Sequence, residues 1–269
     1  MKSFFSTSTD MKKFLLLLAL SPVLCSAMTA KSYIVVDNST GQVVASSNAD
    51  EQRSIASITK LYTAERNAAL AQDELITITA EDVRCGKMRS SPLRAGMQVS
   101  RAALMRLALV SSDNIAALAL GRSDGPVVSR GPHTTIVEAS GLDAGNRSTA
   151  RELSEMARSL LGSNLALMST QPNEMFNDHL RKSTNPFIDK PGWNFALSKT
   201  GFTNPAGGCL VVVTQIAGKL MTVVILGARD THQRWRDLVE IRKQLGDSDF
   251  YEPVTRTVHA IKTKFRRHH

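Results

Sequence analysis

Strand-forming sequence stands at both ends of this chain and helix-forming sequence fills its middle. Ser32-Tyr-Ile-Val-Val-Asp37 is rich in β-branched residues, Asn38-Ser-Thr-Gly41 carries turn chemistry, and Gln42-Val-Val-Ala-Ser46 follows. This reads as a β-hairpin. Residues 193–200, 209–216 and 220–226 are three more β-rich runs, the last two joined by a short turn at Gly218, and a helix is expected over about 231–245. The hairpin and the later meander can join as one antiparallel sheet, with the helical block inserted as a second lobe. The expected fold is therefore a two-lobe α+β or α/β architecture. It has a five-stranded antiparallel sheet flanked by helices, and an all-helical lobe inserted over about residues 61–162 of a domain at 28–246.

Within the block, a helix is expected from Ser57 to about Ala71, a short strand at 75–79 and a short helix at 80–84. Residues 85–99, with Gly86, Pro92 and Gly96, read as loop or small hairpin. Ser100 is a good N-cap for a helix at 101–110, where Leu104, Leu107, Ala108 and Val110 repeat with helical spacing. A second helix at 115–120 follows almost at once. Residues 121–147 read as irregular, Thr149-Ala-Arg-Glu152 as a capping box opening a helix to about Leu161, and 163–190 as a long surface excursion.

Three polar triplets are spread over this frame. Ser57 and Lys60 are three apart, so on a helix they share a face, with the hydroxyl near the positive end of the dipole. A serine beside an amine is one way to activate a poor nucleophile. Alone, the pair reads more readily as a surface helix, because a chance Ser-x-x-Lys is expected roughly once in a chain of this size. Ser112-Asp-Asn114 occupies a tight break between two apolar helices, where polar residues either cap helix ends or point into a cleft; local chemistry favours capping. Lys199-Thr-Gly201 lies on a strand. Ser57 stands where the chain leaves the sheet for the helices, so the three can meet at the lobe boundary.

The composition, 42% apolar and 21% charged over 269 residues, is globular, and the net charge is +9. No zinc-finger spacing or basic-aromatic module accompanies that charge, so nucleic acid is not an expected partner. Much of the excess sits in the tail at 247–269, in Lys262, Lys264, Arg266 and Arg267. Lys12 and Lys13 before the apolar run at 14–20, and small residues up to Ala27, have the layout of a secretory signal peptide over 1–27. The folded part is then expected to work outside the cytoplasm, in the periplasm. Cys85 and Cys209 remain after that cut and are read as two buried thiols rather than a bridge. The six histidines show no ligand spacing, so neither metal nor cofactor is expected.

Ser-x-x-Lys, Ser-x-Asn and Lys-Thr-Gly in this order resemble the three motifs of penicillin-binding proteins and serine β-lactamases. Ser112 follows Ser57 by 55 positions and Lys199 follows Ser112 by 87, close to the low-molecular-weight D-alanyl-D-alanine peptidases. The flanks Arg53-Ser-Ile-Ala-Ser-Ile-Thr-Lys-Leu61, Val137-Glu-Ala-Ser-Gly-Leu142 and Trp193-Asn-Phe-Ala-Leu-Ser-Lys-Thr-Gly-Phe202 are similar to the endopeptidase subgroup. The resemblance implies Ser57 as acylated nucleophile and Lys60 as its base. It implies Ser112 and Asn114 as proton shuttle and substrate contact, and Lys199 and Thr200 as holders of a carboxylate beside the scissile bond. The N–H groups of Ser57 and Phe202 would form the oxyanion hole, and Gly201 would let the substrate backbone approach closely. It further implies peptidoglycan stem peptides as substrate and β-lactams as covalent inhibitors. Lys60 either takes the Ser57 proton directly, its basicity lowered by burial and the Lys199 charge, or stays charged while Ser112 relays.

Two stretches depart from the family pattern. Between Arg122 and Glu138 the chain is shorter by roughly a dozen residues, about three helical turns. The basic tail is extended, and reads equally as an amphipathic helix in weak contact with anionic lipid or as a solvated tail. D-alanyl-D-alanine carboxypeptidase is the alternative activity. A β-lactamase would want a glutamate with an asparagine four residues later ahead of Lys199, a pattern not evident here. A non-catalytic wall-binding protein is the remaining alternative, motivated by the shortened segment.

Overall fold

The computed structural model describes residues 28–86, 90–125, 131–248 and 250. The expected signal peptide and all but the first few residues of the basic tail lie outside them. The chain opens with β1 (Ser32–Asp37) and β2 (Val43–Ser47), then β3 (Arg53–Ser54), a 3-10 turn at Ala56–Ile58, and α1 (Thr59–Ala68). Next come β4 (Leu75–Thr77), α2 (Ala80–Cys85), β5 (Gln98–Ser100), α3 (Arg101–Val110) and α4 (Asn114–Ser123). After β6 (Arg147–Ser148), α5 (Ala150–Ser159) and α6 (Asn164–Ser169) there is a hairpin, β7 (Asn173–Phe176) and β8 (His179–Lys182). The meander β9 (Phe195–Thr203), β10 (Gly207–Ile216) and β11 (Lys219–Ala228) leads to α7 (Gln233–Gln244).

Five strands form one antiparallel sheet in the order β2-β1-β11-β10-β9, so the hairpin and the meander join through β1 and β11. Period-two alternation divides the central strands between two cores. Ile34, Val36, Val211, Val213, Val224 and Leu226 pack against α1 and α3–α6, while Tyr33, Val35, Leu210, Val212, Val223 and Ile225 pack against α7. β9 is an edge strand, and it carries the Lys199-Thr-Gly201 triplet.

Short polar side chains start the helices where the sequence places them. Ser100 Oγ accepts from Ala103 N at 3.3 Å and Asp113 from Ala116 N at 3.0 Å. The box expected at Thr149 is half made. Thr149 Oγ1 accepts from Glu152 N at 3.1 Å, but the Glu152 carboxylate bonds His133 N at 2.9 Å and the Thr134 hydroxyl. Tertiary donors have won the carboxylate and tie residues 133–134 to α5.

Three expectations change. The inserted lobe is not all-helical: β4 and β5 pair, with Ile76 opposite Val99, because both are buried β-branched residues. Residues 163–190, expected as a long surface excursion, hold a helix and the β7–β8 hairpin. Asn177 and Asp178 both have positive φ, 45° and 63°, as a type I′ hairpin turn demands. Both cysteines are free, Cys209 buried with its thiol pushed up to about 11 by burial, but Cys85 exposed. Among the described residues no helix lies between Ser123 and Ala150, and none is long and apolar enough to cross a membrane.

Candidate active site

Ser57 sits half-buried in the 3-10 turn that runs into α1, with Ile55, Ile58 and Leu61 anchoring the turn in the core. Ala56, the residue before it, is held at φ 47°, a conformation non-glycine residues avoid and that clusters at functional sites. One turn on, Lys60 is fully buried at 0% exposure. Its Nζ lies 3.0 Å from Ser57 Oγ, 2.8 Å from Asn114 Oδ1 and 2.6 Å from the Ser140 carbonyl. The last two oxygens can only accept, so each holds one N–H of the amine. The tetrahedral direction left over faces Ser57 Oγ. In the ammonium form that direction carries a third N–H; in the neutral form it carries the lone pair, aimed at the hydroxyl proton.

The Ser112–Asn114 triplet does both things its chemistry allows. Asp113 caps α4, which leaves its neighbours to face the cleft. Ser112 adopts φ 59°, and its Oγ accepts from Lys199 Nζ at 2.9 Å. Lys199, 1% exposed, also donates to the Thr200 carbonyl at 2.9 Å. Two buried lysines thus each hold one serine, Lys60 on Ser57 and Lys199 on Ser112, with Asn114 bonded to the first.

The Ser140 carbonyl is delivered by a loop that the sequence reading left irregular. Glu138 accepts from Ser140 N (2.6 Å), Ser140 Oγ (2.7 Å), Gly141 N (2.5 Å) and Asn146 Nδ2 (2.6 Å). Buried Asn146 in turn accepts from Val137 N at 2.7 Å. The segment at 137–142 carries the family resemblance, but its sequence does not show that the Glu138 carboxylate closes the loop on itself. Replacing Glu138 with Gln puts an N–H against these donors. It is expected to cost about 2 kcal/mol, lowering Tm by about 4–8 °C in thermal unfolding.

Ser57, Ser112, Asn114, Thr200, Gly201 and Phe202 line one cleft of about 220 Å³. All eight residues expected at the site are brought together, six on the wall and Lys60 and Lys199 buried behind it. Gly201 also has a reason in the packing of the protein itself. A Cβ there would meet Ile55 O at 2.9 Å and Ser57 N at 3.0 Å, so the missing side chain lets β9 pack on the turn that holds Ser57. Arg234 on α7 also lines the cleft, buried, and donates to the Gly201 carbonyl at 2.8 Å. No local signal separates it from the other arginines; only the packing of α7 behind β9 singles it out.

The chain matches the model of a family described as D-alanyl-D-alanine carboxypeptidase, peptidase S11, over residues 20–124 and 132–230. It is 34% identical to a D-alanyl-D-alanine endopeptidase of Pseudomonas aeruginosa over 243 residues, which is 81% of this chain and 77% of that protein. An Escherichia coli D-alanyl-D-alanine endopeptidase is 32% identical over 234 residues, 78% of this chain and 75% of the relative. In fold it is similar to the crystal structure of penicillin binding protein 6B from Escherichia coli. The TM-score is 0.72 and the identity 23%, covering 86% of this chain and 80% of that one. With both serine–lysine pairs assembled in one cleft and these matches spanning most of its length, the chain belongs to the D-alanyl-D-alanine carboxypeptidase family of serine peptidases.

Proposed function

We propose that this chain is a peptidoglycan DD-peptidase that cleaves D-alanyl cross-links as an endopeptidase, through an acyl-enzyme on Ser57. The observation that carries the reading is the buried Lys60 amine 3.0 Å from Ser57 Oγ, with its remaining N–H groups committed elsewhere. Ser57 Oγ attacks the D-alanyl carbonyl carbon and its proton passes to Lys60 Nζ. The developing oxyanion is held by the N–H groups of Ser57 and Phe202, each such donor contributing about 10²–10³ in rate in acyl-transfer enzymes. The carbon–nitrogen bond then breaks, and the leaving amine takes a proton through Ser112, which Lys199 orients. Water attacks the acyl ester to free the enzyme. Lys199, Thr200 and Arg234 provide two cations and a hydroxyl for the carboxylate beside the scissile amide, and Asn114 contacts the acyl-side peptide. The N-terminal 27 residues would export the chain to the periplasm, where that polymer lies.

The test is fluorescent penicillin on purified residues 28–269. A long-lived adduct, absent in Ser57→Ala, is expected, together with conversion of cross-linked muropeptide dimers to monomers. Folded native protein that takes no label would sink the reading. Labelling accompanied only by release of D-alanine from pentapeptide monomers would turn it to carboxypeptidase.

A further inference from the structure

A second cavity of about 450 Å³ opens at the end of β9, beside the catalytic cleft. Lys31, Arg53, Arg147 and Arg229 line it, against the single carboxylate of Glu51. That carboxylate already pairs with Arg53 at 2.6 Å, and the buried Arg53 Nε finds no acceptor among the described residues. Cations gathered around one hollow repel one another, and an anion among them relieves that repulsion. The cavity is also placed in line with the cleft. Phe202 lines the cleft and Asn204 lines the cavity, two residues on along the same chain, or roughly 7 Å at the rise of a strand. β9 has a free edge along which an extended peptide can lie.

We infer that this basic cavity binds the acyl-side carboxylates of an acidic stem peptide, an inference that rests on the function proposed above. With the carboxylate beside the scissile bond held at Lys199 and Thr200, and the reacting carbonyl at Ser57 and Phe202, the acyl side of the substrate runs toward Asn204. The γ-linked D-glutamyl residue and a diaminopimelyl residue each offer a carboxylate there. Penicillin, which has no such extension, occupies only the cleft.

The experiment compares cross-linked peptides whose stems carry free carboxylates with the same peptides amidated at those positions. Native enzyme is expected to lose about tenfold in kcat/KM on amidation, mainly through KM. The exposed pair Lys31→Gln/Arg229→Gln is expected to shrink that discrimination while taking up fluorescent penicillin at the native rate. Equal cleavage of both substrates by native enzyme that is still labelled at Ser57 overturns the cavity assignment alone. So does full discrimination in the double variant. Absence of labelling in native protein overturns the DD-peptidase reading, and the assignment with it.

Discussion

Lys60→Arg should be acylated by penicillin about 10³–10⁴-fold more slowly than the native protein, and Lys60→Gln by a similar factor. The pair separates two roles that a buried cation can play. Arginine keeps the positive charge and offers donors to Asn114 Oδ1 and the Ser140 carbonyl, but it cannot be deprotonated in a protein. Were Lys60 needed only as a charge or a donor, the arginine variant would keep most of the rate. If the amine takes the Ser57 proton, both variants fail together, since neither offers the hydroxyl a basic nitrogen. Stopped-flow acylation measures the rate, and a Tm near the native value shows that the buried site has tolerated the exchange. Acylation of the arginine variant within tenfold of native would leave the proton transfer to Ser112.

Gly141→Ala should damage both stability and catalysis. Gly141 has φ 84°, and a Cβ on it would stand 2.0 Å from the Ala56 carbonyl oxygen and 2.8 Å from Ser57 N. These are backbone atoms of the turn that holds Ser57, and Glu138 holds the loop from the other side, so neither partner can swing away. The variant must combine left-handed strain with displacement of the turn. A loss of about 3 kcal/mol, or about 6–12 °C in Tm, is expected. Acylation should slow by about 10², because a shift of the order of 1 Å spoils the attack geometry. Gly96→Ala is the control: φ is 87° there, but nothing lies within 4 Å of the added carbon, so only the conformational cost of about 1 kcal/mol should appear. Equal behaviour of the two variants would mean that the Ala56 contact is not what fixes the turn.

Much of this molecule is legible along the chain. The hairpin, the meander, the caps at Ser100 and Thr149 and the break at Ser112–Asn114 all follow from short-range rules. Each depends on a few neighbouring residues and on whether apolar positions repeat every two or every 3.6. The hairpin at 173–182 was missed because Asn177-Asp178 is a weaker turn signal than Asn-Gly, and its strands are too exposed for apolar alternation to mark them. The loop at 137–146 has no periodicity to read. Its order comes from Glu138 and Asn146, whose partners are set by loop shape.

The order of the three triplets and the strands that build the five-stranded sheet are legible in the sequence alone, because each is a local pattern; Ser57 as nucleophile is what the family resemblance implies. What only the tertiary structure decided is which distant polar groups meet. It paired Lys199 with Ser112, brought the Ser140 carbonyl to Lys60, made Gly201 and Gly141 the places where strand and loop touch the Ser57 turn, and set Arg234 on the cleft wall. These are matters of tenths of an ångström between groups far apart in the chain, 33 residues for Arg234 and Gly201 and 87 for Lys199 and Ser112. Hydrogen bonds are directional and short-ranged, so their partners are chosen only after the helices and the sheet have packed.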